Sequence, residues 1–434
     1  MKIQKYLRFS FLIVFISVFS LFANDLIPGK KQDKPIALTN AKIFTVSGEI
    51  IENGTIIFND GKITAVGEND LKILQGSEVH DLNGKHVYPG IIAAYSQLGL
   101  MEIPAVRATR DYSEAGSYNP NARADIAYNP DSEVTPTVRS NGITTALIAP
   151  MSGRISGISS VLNLDAWNRE DATILKNAGM ILNWPGMTIR TASWIKDSPA
   201  KQQENIDKSL KEIDDYFEQA KVYYEARKSN PETKIDIRFE SMTDVLDKKM
   251  PLIISANEYK QIEAAVNFCK RHNLKMILLS GMDAWKMTGL LKENNIPVIL
   301  RQTHTLPQRE DEDYDIGFKH PALLREAGVK FCIAKTTRVT WALFNLPFYA
   351  GTAVAHGLDK ADALKAITLW PAEILGVDDK IGSLEVGKNA TLIVSSGDLL
   401  DMQSNNIEMM FIDGRKVDLD NKHKRLYRKY KARK

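Results

Sequence analysis

Cysteine is nearly missing from this 434-residue chain, which has only Cys269 and Cys332. That excludes a disulfide-built scaffold and any metal site of paired-cysteine spacing. Cys269 falls in a helical pattern and Cys332 in an apolar strand, so both are expected as buried free thiols. A dominant charge is missing too: 56 Lys and Arg face 53 Asp and Glu. Without Lys2, Lys5 and Arg8, the two sums are equal at 53. A neutral body offers nucleic acid no electrostatic footprint. Apolar runs long enough to span a bilayer are missing from the body of the chain. The one extended run, Phe9 to Phe22, is interrupted by Ser10, Ser17 and Ser20. It is shorter than the roughly 20 residues a span needs. With its basic start and Ala23 before Asn24-Asp25, residues 1–23 read as a signal peptide, cleaved after Ala23. The mature chain is then expected without a transmembrane span, exported to the periplasm or secreted.

What is present is ordinary globular composition, 44% hydrophobic and 25% charged. Such a chain can bury a large core unaided, as two or three domains or one barrel with additions. Residues 36–88 read as short strands punctuated by Asn53-Gly54, Asp60-Gly61 and Asn83-Gly84, turn pairs that tolerate positive φ. The same texture returns near 390–418, with Asp413-Gly414. Strand-rich ends around a different middle predict one composite β module from residues 36–88 and 382–420. The middle, 89–381, alternates apolar strands with helical patterns. Ile206, Leu210, Ile213, Phe217, Ala220 and Tyr224 share one face at helical period. Seven strands are clear, at 90–94, 144–149, 179–184, 251–254, 275–279, 297–300 and 329–333, and 159–164 is a candidate eighth. The fold class read from this pattern is α/β: a (β/α)8 TIM-like barrel with a small composite β-sandwich built from both termini.

Several segments resemble the metal-dependent amidohydrolase superfamily, in particular its imidazolonepropionase-like branch. They are residues 37–48, His86-Val87-Tyr88-Pro89-Gly90-Ile91-Ile92, and 362–394 from Asp362 through Gly382, Gly387 and the following strand. The resemblance implies a hydrolase scaffold for C–N bonds and a divalent metal, usually zinc, at the barrel mouth. Its pattern after Pro-Gly-x-Ile is Asp-x-His-x-His; here Ala93, Tyr95 and Gln97 stand at the three ligand positions. The other implied ligands fall near Ser255, near Ser280 or Gly281, and near Thr337. Zinc draws its ligands from His, Cys and carboxylate, so no metal and no cofactor are expected.

Of the seven histidines, only His304 lies just past a barrel strand, and an ordinary loop histidine is an equal reading. The pocket candidates are therefore Tyr95, Gln97, His304 and Lys335, with Lys335 the one ionisable residue at the last strand's end. Arg154, Arg301 and Asn257 are the candidate substrate-binding residues. Arg154 sits in Ser152-Gly153-Arg154-Ile155-Ser156-Gly157, which reads either as an anion-binding turn or as an ordinary glycine-rich turn. The long polar loop 102–135 reads as a lid, binding element or packed loop. The basic tail, 421–434, reads as contact with an anionic surface or as a solvated helix with Tyr427 and Tyr430 packed back. Three functions stay open: a catalytically impaired or non-catalytic member that binds a small molecule at the mouth or serves as a partner subunit (paralogous, or in a homo-oligomer); an enzyme with a rearranged site; and a metal hydrolase acting on C–N bonds with misplaced ligands.

Overall fold

The computed structural model describes residues 26–337 and 339–433; the predicted signal peptide, 1–23, lies outside the described residues. Among the described residues, sixteen strands fall into two sheets. The first five are β1 (Ile36–Phe44), β2 (Ile50–Asn59), β3 (Lys62–Glu68), β4 (Glu78–Asp81) and β5 (His86–Pro89). The barrel strands are β6 (Ile91–Ser96), β7 (Ile143–Ile148), β8 (Ile155–Asn163), β9 (Thr173–Asn183), β10 (Leu252–Ala256), β11 (Met276–Ser280), β12 (Val298–Leu300) and β13 (Phe331–Ile333). The last three are β14 (Leu392–Ser395), β15 (Ile407–Ile412) and β16 (Arg415–Lys416).

The terminal strands share one sheet, ordered β16-β15-β14-β5-β1-β2-β3, with β4 on β1. The joint between the termini is the antiparallel pair of β14 and β5, with Val394 opposite Val87. The sheet curls until Phe58 of β2 meets Phe411 of β15, ring centroids 5.0 Å apart, over a core that includes Leu38, Ile43 and Leu392. Asp60-Gly61 forms the expected tight turn, both residues at positive φ. Asn53-Gly54 does not turn; it lies inside β2. Gly54 faces Ala41 where the β1–β2 register slips, and a Cβ there would meet the Gly67 carbonyl at 2.8 Å. The glycine serves close backbone approach rather than a hairpin.

The second sheet runs β13-β12-β11-β10-β9-β8-β7-β6, so the eighth strand is real. It runs antiparallel to both neighbours. The connection between β7 and β8, residues 149–154, is too short for the dozen-residue crossover that a parallel pair needs. The gap between β13 and β6 is bridged by Ala366 and Ile367, whose carbonyls accept from Ile333 and Ile92 at 2.9 Å each. The nearly closed barrel is filled by Ile92, Leu147, Ile181, Ile253, Ile299 and Cys332. Burying each large aliphatic side chain contributes about 1.5–3 kcal/mol.

The helices that frame the site are α1 (Pro199–Ser229), α2 (Tyr259–His272), α3 (Ile316–Glu326), α4 (Leu346–Ala355), α5 (Leu369–Leu375) and α6 (Lys422–Lys431). The predicted face of α1 buries Ile206, Ile213, Phe217 and Ala220. Phe217 meets Phe268 of α2 edge-on at 5.0 Å. α5 closes the barrel floor with Ile374 and Leu375. In α6, Tyr427 and Tyr430 are exposed rather than packed back, and Arg428 pairs with Asp420 at 2.7 Å. No helix among the described residues is long and apolar enough to cross a membrane.

Candidate functional site at the barrel mouth

The carboxyl ends of the barrel strands deliver the mouth residues. β6 ends in Tyr95-Ser96 and is followed by Gln97, all three buried. The Tyr95 phenol has the Gln97 side chain as a hydrogen-bonding neighbour, and burial pushes its pKa up to about 12. It is therefore a neutral phenol at physiological pH. The Gln97 amide donates to the Ala149 carbonyl at 3.4 Å. At the end of β11, Ser280 and Gly281 both adopt left-handed φ, 77° and 53°. Such strain in a non-glycine residue is retained where the surroundings over-determine it.

Beyond β13, Lys335 is only 5% exposed. Its ammonium donates to the Thr337 hydroxyl and, at 3.4 Å, to the Thr337 carbonyl. No acid pairs with it among the described residues, and burial lowers its pKa to about 8. On the neighbouring strand, Arg301 follows β12; burial depresses its pKa also, and its Nε is buried without a hydrogen-bond partner. Gln302 ties the two strand ends together, its side-chain oxygen accepting from the Thr336 amide at 3.2 Å. A buried lysine and a half-buried arginine thus stand past adjacent strands, with no carboxylate bound to either among the described residues. Asn257, past β10, also carries a buried side-chain oxygen without a partner.

His304 does not join them. Its Nε2 pairs with the Thr352 hydroxyl at 2.7 Å, and its ring packs edge-on against Tyr349 and Phe318. These contacts hold it on α3 and α4. Thr303 anchors the turn, donating to the Tyr349 carbonyl at 3.0 Å. Arg154 is bound to its own fold, donating to the Asn183 carbonyl at 2.7 Å. The glycine-rich turn around it is no anion cradle. Its amides at Met151, Arg154 and Ile155 donate to carbonyls of Tyr112 and Ser117 in the 102–135 loop. That loop is a strap laid along β8, with bridges Tyr118–Ile155 and Arg123–Ile158. Gly157, at φ 133°, lets it approach: a Cβ there would meet the Ala122 carbonyl at 2.5 Å.

A second polar cluster stands beside the mouth. Asp283 accepts from the Tyr259 amide at 3.0 Å and from both terminal nitrogens of Arg309, which also pairs with Glu312. Glu312 is therefore held in a network, accepting also from the Gln308 amide at 2.9 Å. His320 of α3 is 5% exposed, its Nε2 has no partner, and burial lowers its pKa to about 3, so the imidazole is neutral. It lines a cavity of about 30 Å³ with Asp283, Arg301 and Gln302. His320 gives no local signal of this in sequence, because its neighbours come from the segments that follow β11 and β12.

The implied zinc can be tested against this donor set. The positions are held by Tyr95, Gln97, Ser255, Ser280 or Gly281, and Thr337, all neutral. No group of three or more His, Cys, Asp or Glu that could hold a metal occurs among the described residues. Zinc sites need three or four such ligands, so these residues do not fit the ion.

The amidohydrolase family model matches residues 316–417. Amidohydrolase tasK of Hapsidospora irregularis is 22% identical over 400 residues, 84% of this chain but 39% of that protein. The chain thus spans well under half of that relative's length. A 5-methylthioadenosine/S-adenosylhomocysteine deaminase of Thermodesulfovibrio yellowstonii is 33% identical over 86 residues, 17% of this chain and 20% of that one. An amidohydrolase structure from Thermotoga maritima MSB8 superposes with a TM-score of 0.78 at 26% identity, covering 88% of this chain and 99% of that one.

Proposed function

This chain belongs to the amidohydrolase superfamily, and from that premise we propose that it is an exported, catalytically impaired member whose barrel mouth binds a small organic anion. The observation that carries the reading is the polarity of the mouth. Neutral oxygens stand at the metal positions, Lys335 is buried and Arg301 half-buried with a buried Nε, and neither has an acid partner among the described residues. A buried charge is costly unless paired; an incoming carboxylate would supply the missing charge, bidentate at Arg301 and as a point contact at Lys335. Tyr95 and Asn257 would orient the rest of the ligand. Export rests on the composition of residues 1–23. A role as partner subunit, to a paralogue or a second copy, fits a scaffold kept without its hydrolytic ligands.

One observation favours a rival. A lysine whose pKa is lowered to about 8 is also a workable general base, which would make the chain an active hydrolase of C–N bonds with a rearranged site. Titration calorimetry with a panel of small monocarboxylates, run beside amide-hydrolysis assays on the same panel's amides, separates the two. Saturable carboxylate binding lost in Arg301→Met, without turnover, supports the binding role. Turnover that survives chelation and vanishes in Lys335→Met supports the rival.

A further inference from the structure

Helix α6 is laid on the protein with its polarity reversed. Over ten residues it carries six Lys and Arg and no acid. At helical spacing, Leu426, Tyr427 and Tyr430 share one side with His423, and Arg425 and Arg428 lie on the opposite one. A surface helix ordinarily turns its apolar stripe to the core. Here the basic side is the one tied down. Arg425 pairs with Glu133 at 3.5 Å and Arg428 with Asp420 at 2.7 Å. The apolar side is left in water: Tyr427 is 65% exposed, Tyr430 60% and Leu426 39%, and α6 buries no residue.

Cations rim that outward side. Lys429 stands over the Tyr430 ring at 5.8 Å and Lys431 over the Tyr427 ring at 5.6 Å. Lys422, Lys429 and Lys431 are exposed and have no ion pair among the described residues. The remainder of the chain has the opposite sign. In the whole chain 56 Lys and Arg face 53 Asp and Glu, so acids are in excess once the six bases of α6 are set apart.

Exposed tyrosines with lysines at their flanks match the boundary of an anionic bilayer. Tyrosine sits there at headgroup level, and ammonium groups meet lipid phosphates. Nucleic acid would satisfy the lysines but offers Leu426 no apolar layer. We propose that α6 is a docking helix for an anionic membrane surface, with Leu426, Tyr427 and Tyr430 entering the headgroup boundary and Lys422, Lys429 and Lys431 on lipid phosphates. The helix lies beside Thr135–Arg139, which leads into β7 at its starting end. Docking there puts the bilayer on the floor side of the barrel and leaves the mouth open to solvent.

The test sediments the full mature chain with vesicles of phosphatidylglycerol and phosphatidylcholine in equal parts, and with vesicles of phosphatidylcholine alone. The anionic vesicles bind ~10-fold or more tightly than the neutral ones. Two variants, altered only at exposed positions, keep the parent's melting temperature. Tyr427→Ser/Tyr430→Ser retains every charge, and Lys422→Glu/Lys429→Glu/Lys431→Glu retains the pairs of Arg425 and Arg428. Each loses affinity for the anionic vesicles by ~10-fold or more. A single-stranded oligonucleotide at equal phosphate concentration leaves the protein on the vesicles. Equal binding to both vesicle types, unchanged affinity in either variant, or capture by the oligonucleotide would each overturn the proposal, the last in favour of nucleic acid.

Discussion

Lys335→Met removes the least compensated charge in the barrel while keeping its volume. In the unfolded chain the lysine titrates near its ordinary value, about 10.5, and in the fold near 8. Each pH unit between the two corresponds to about 1.4 kcal/mol, so full desolvation would cost the native state about 3 kcal/mol with the lysine charged. Thr337 solvates the ammonium, so a discounted cost of about 1–2 kcal/mol applies. Below pH 8 both states are protonated and this cost is present in full. Between pH 8 and 10.5 the unfolded chain binds the extra proton, so native stability rises with pH. Above 10.5 the cost is gone. The variant should therefore be more stable than the parent by about 1–2 kcal/mol at pH 7, and the advantage should vanish by about pH 10.5. Urea denaturation of both proteins at pH 7, 9 and 10.5 measures this, and effects common to both cancel in the difference. A Met variant no more stable at pH 7, or an advantage independent of pH, would refute the claim that Lys335 is an unpaired buried cation.

Two further outcomes follow from the same structure. Gly157→Val sets a side chain against the Ala122 carbonyl and should cost about 1–3 kcal/mol. Limited proteolysis should then cut the strap at residues 102–135 first; an uncut strap would separate it from β8. Cleavage after Ala23 predicts a mature chain beginning at Asn24, and intact mass of exported protein still starting at Met1 would sink the export reading.

Much of the architecture was legible because it is periodic. The barrel strands are apolar runs of the right length, and α1 shows its buried face at helical spacing. What periodicity does not encode is direction. β8 looked like its neighbours and runs the other way, since only the brevity of residues 149–154 forbids a crossover. Asn53-Gly54 carried a turn signal but serves as a strand glycine, because Gly67 from β3 occupies the space of its Cβ. At the site, Tyr95, Gln97 and Lys335 could be placed by counting from strand ends. His304 could not, because its direction is set by Thr352, 48 residues away in sequence. His320 and the unpartnered Nε of Arg301 depend on the segments after β11 and β12 packing against α3, which no local pattern announces.

From their chemistry, the mouth's neutral donors, Tyr95, Gln97, Ser255, Ser280 and Thr337, are expected to hold no catalytic zinc. Elemental analysis of purified mature protein, joined to a crystal soaked in zinc or manganese, tests it most directly. Metal far below one equivalent and no ion bridging these residues are the expected results. Near-stoichiometric metal at the mouth, within about 2.0–2.3 Å of protein ligands, would contradict it and restore a working hydrolase.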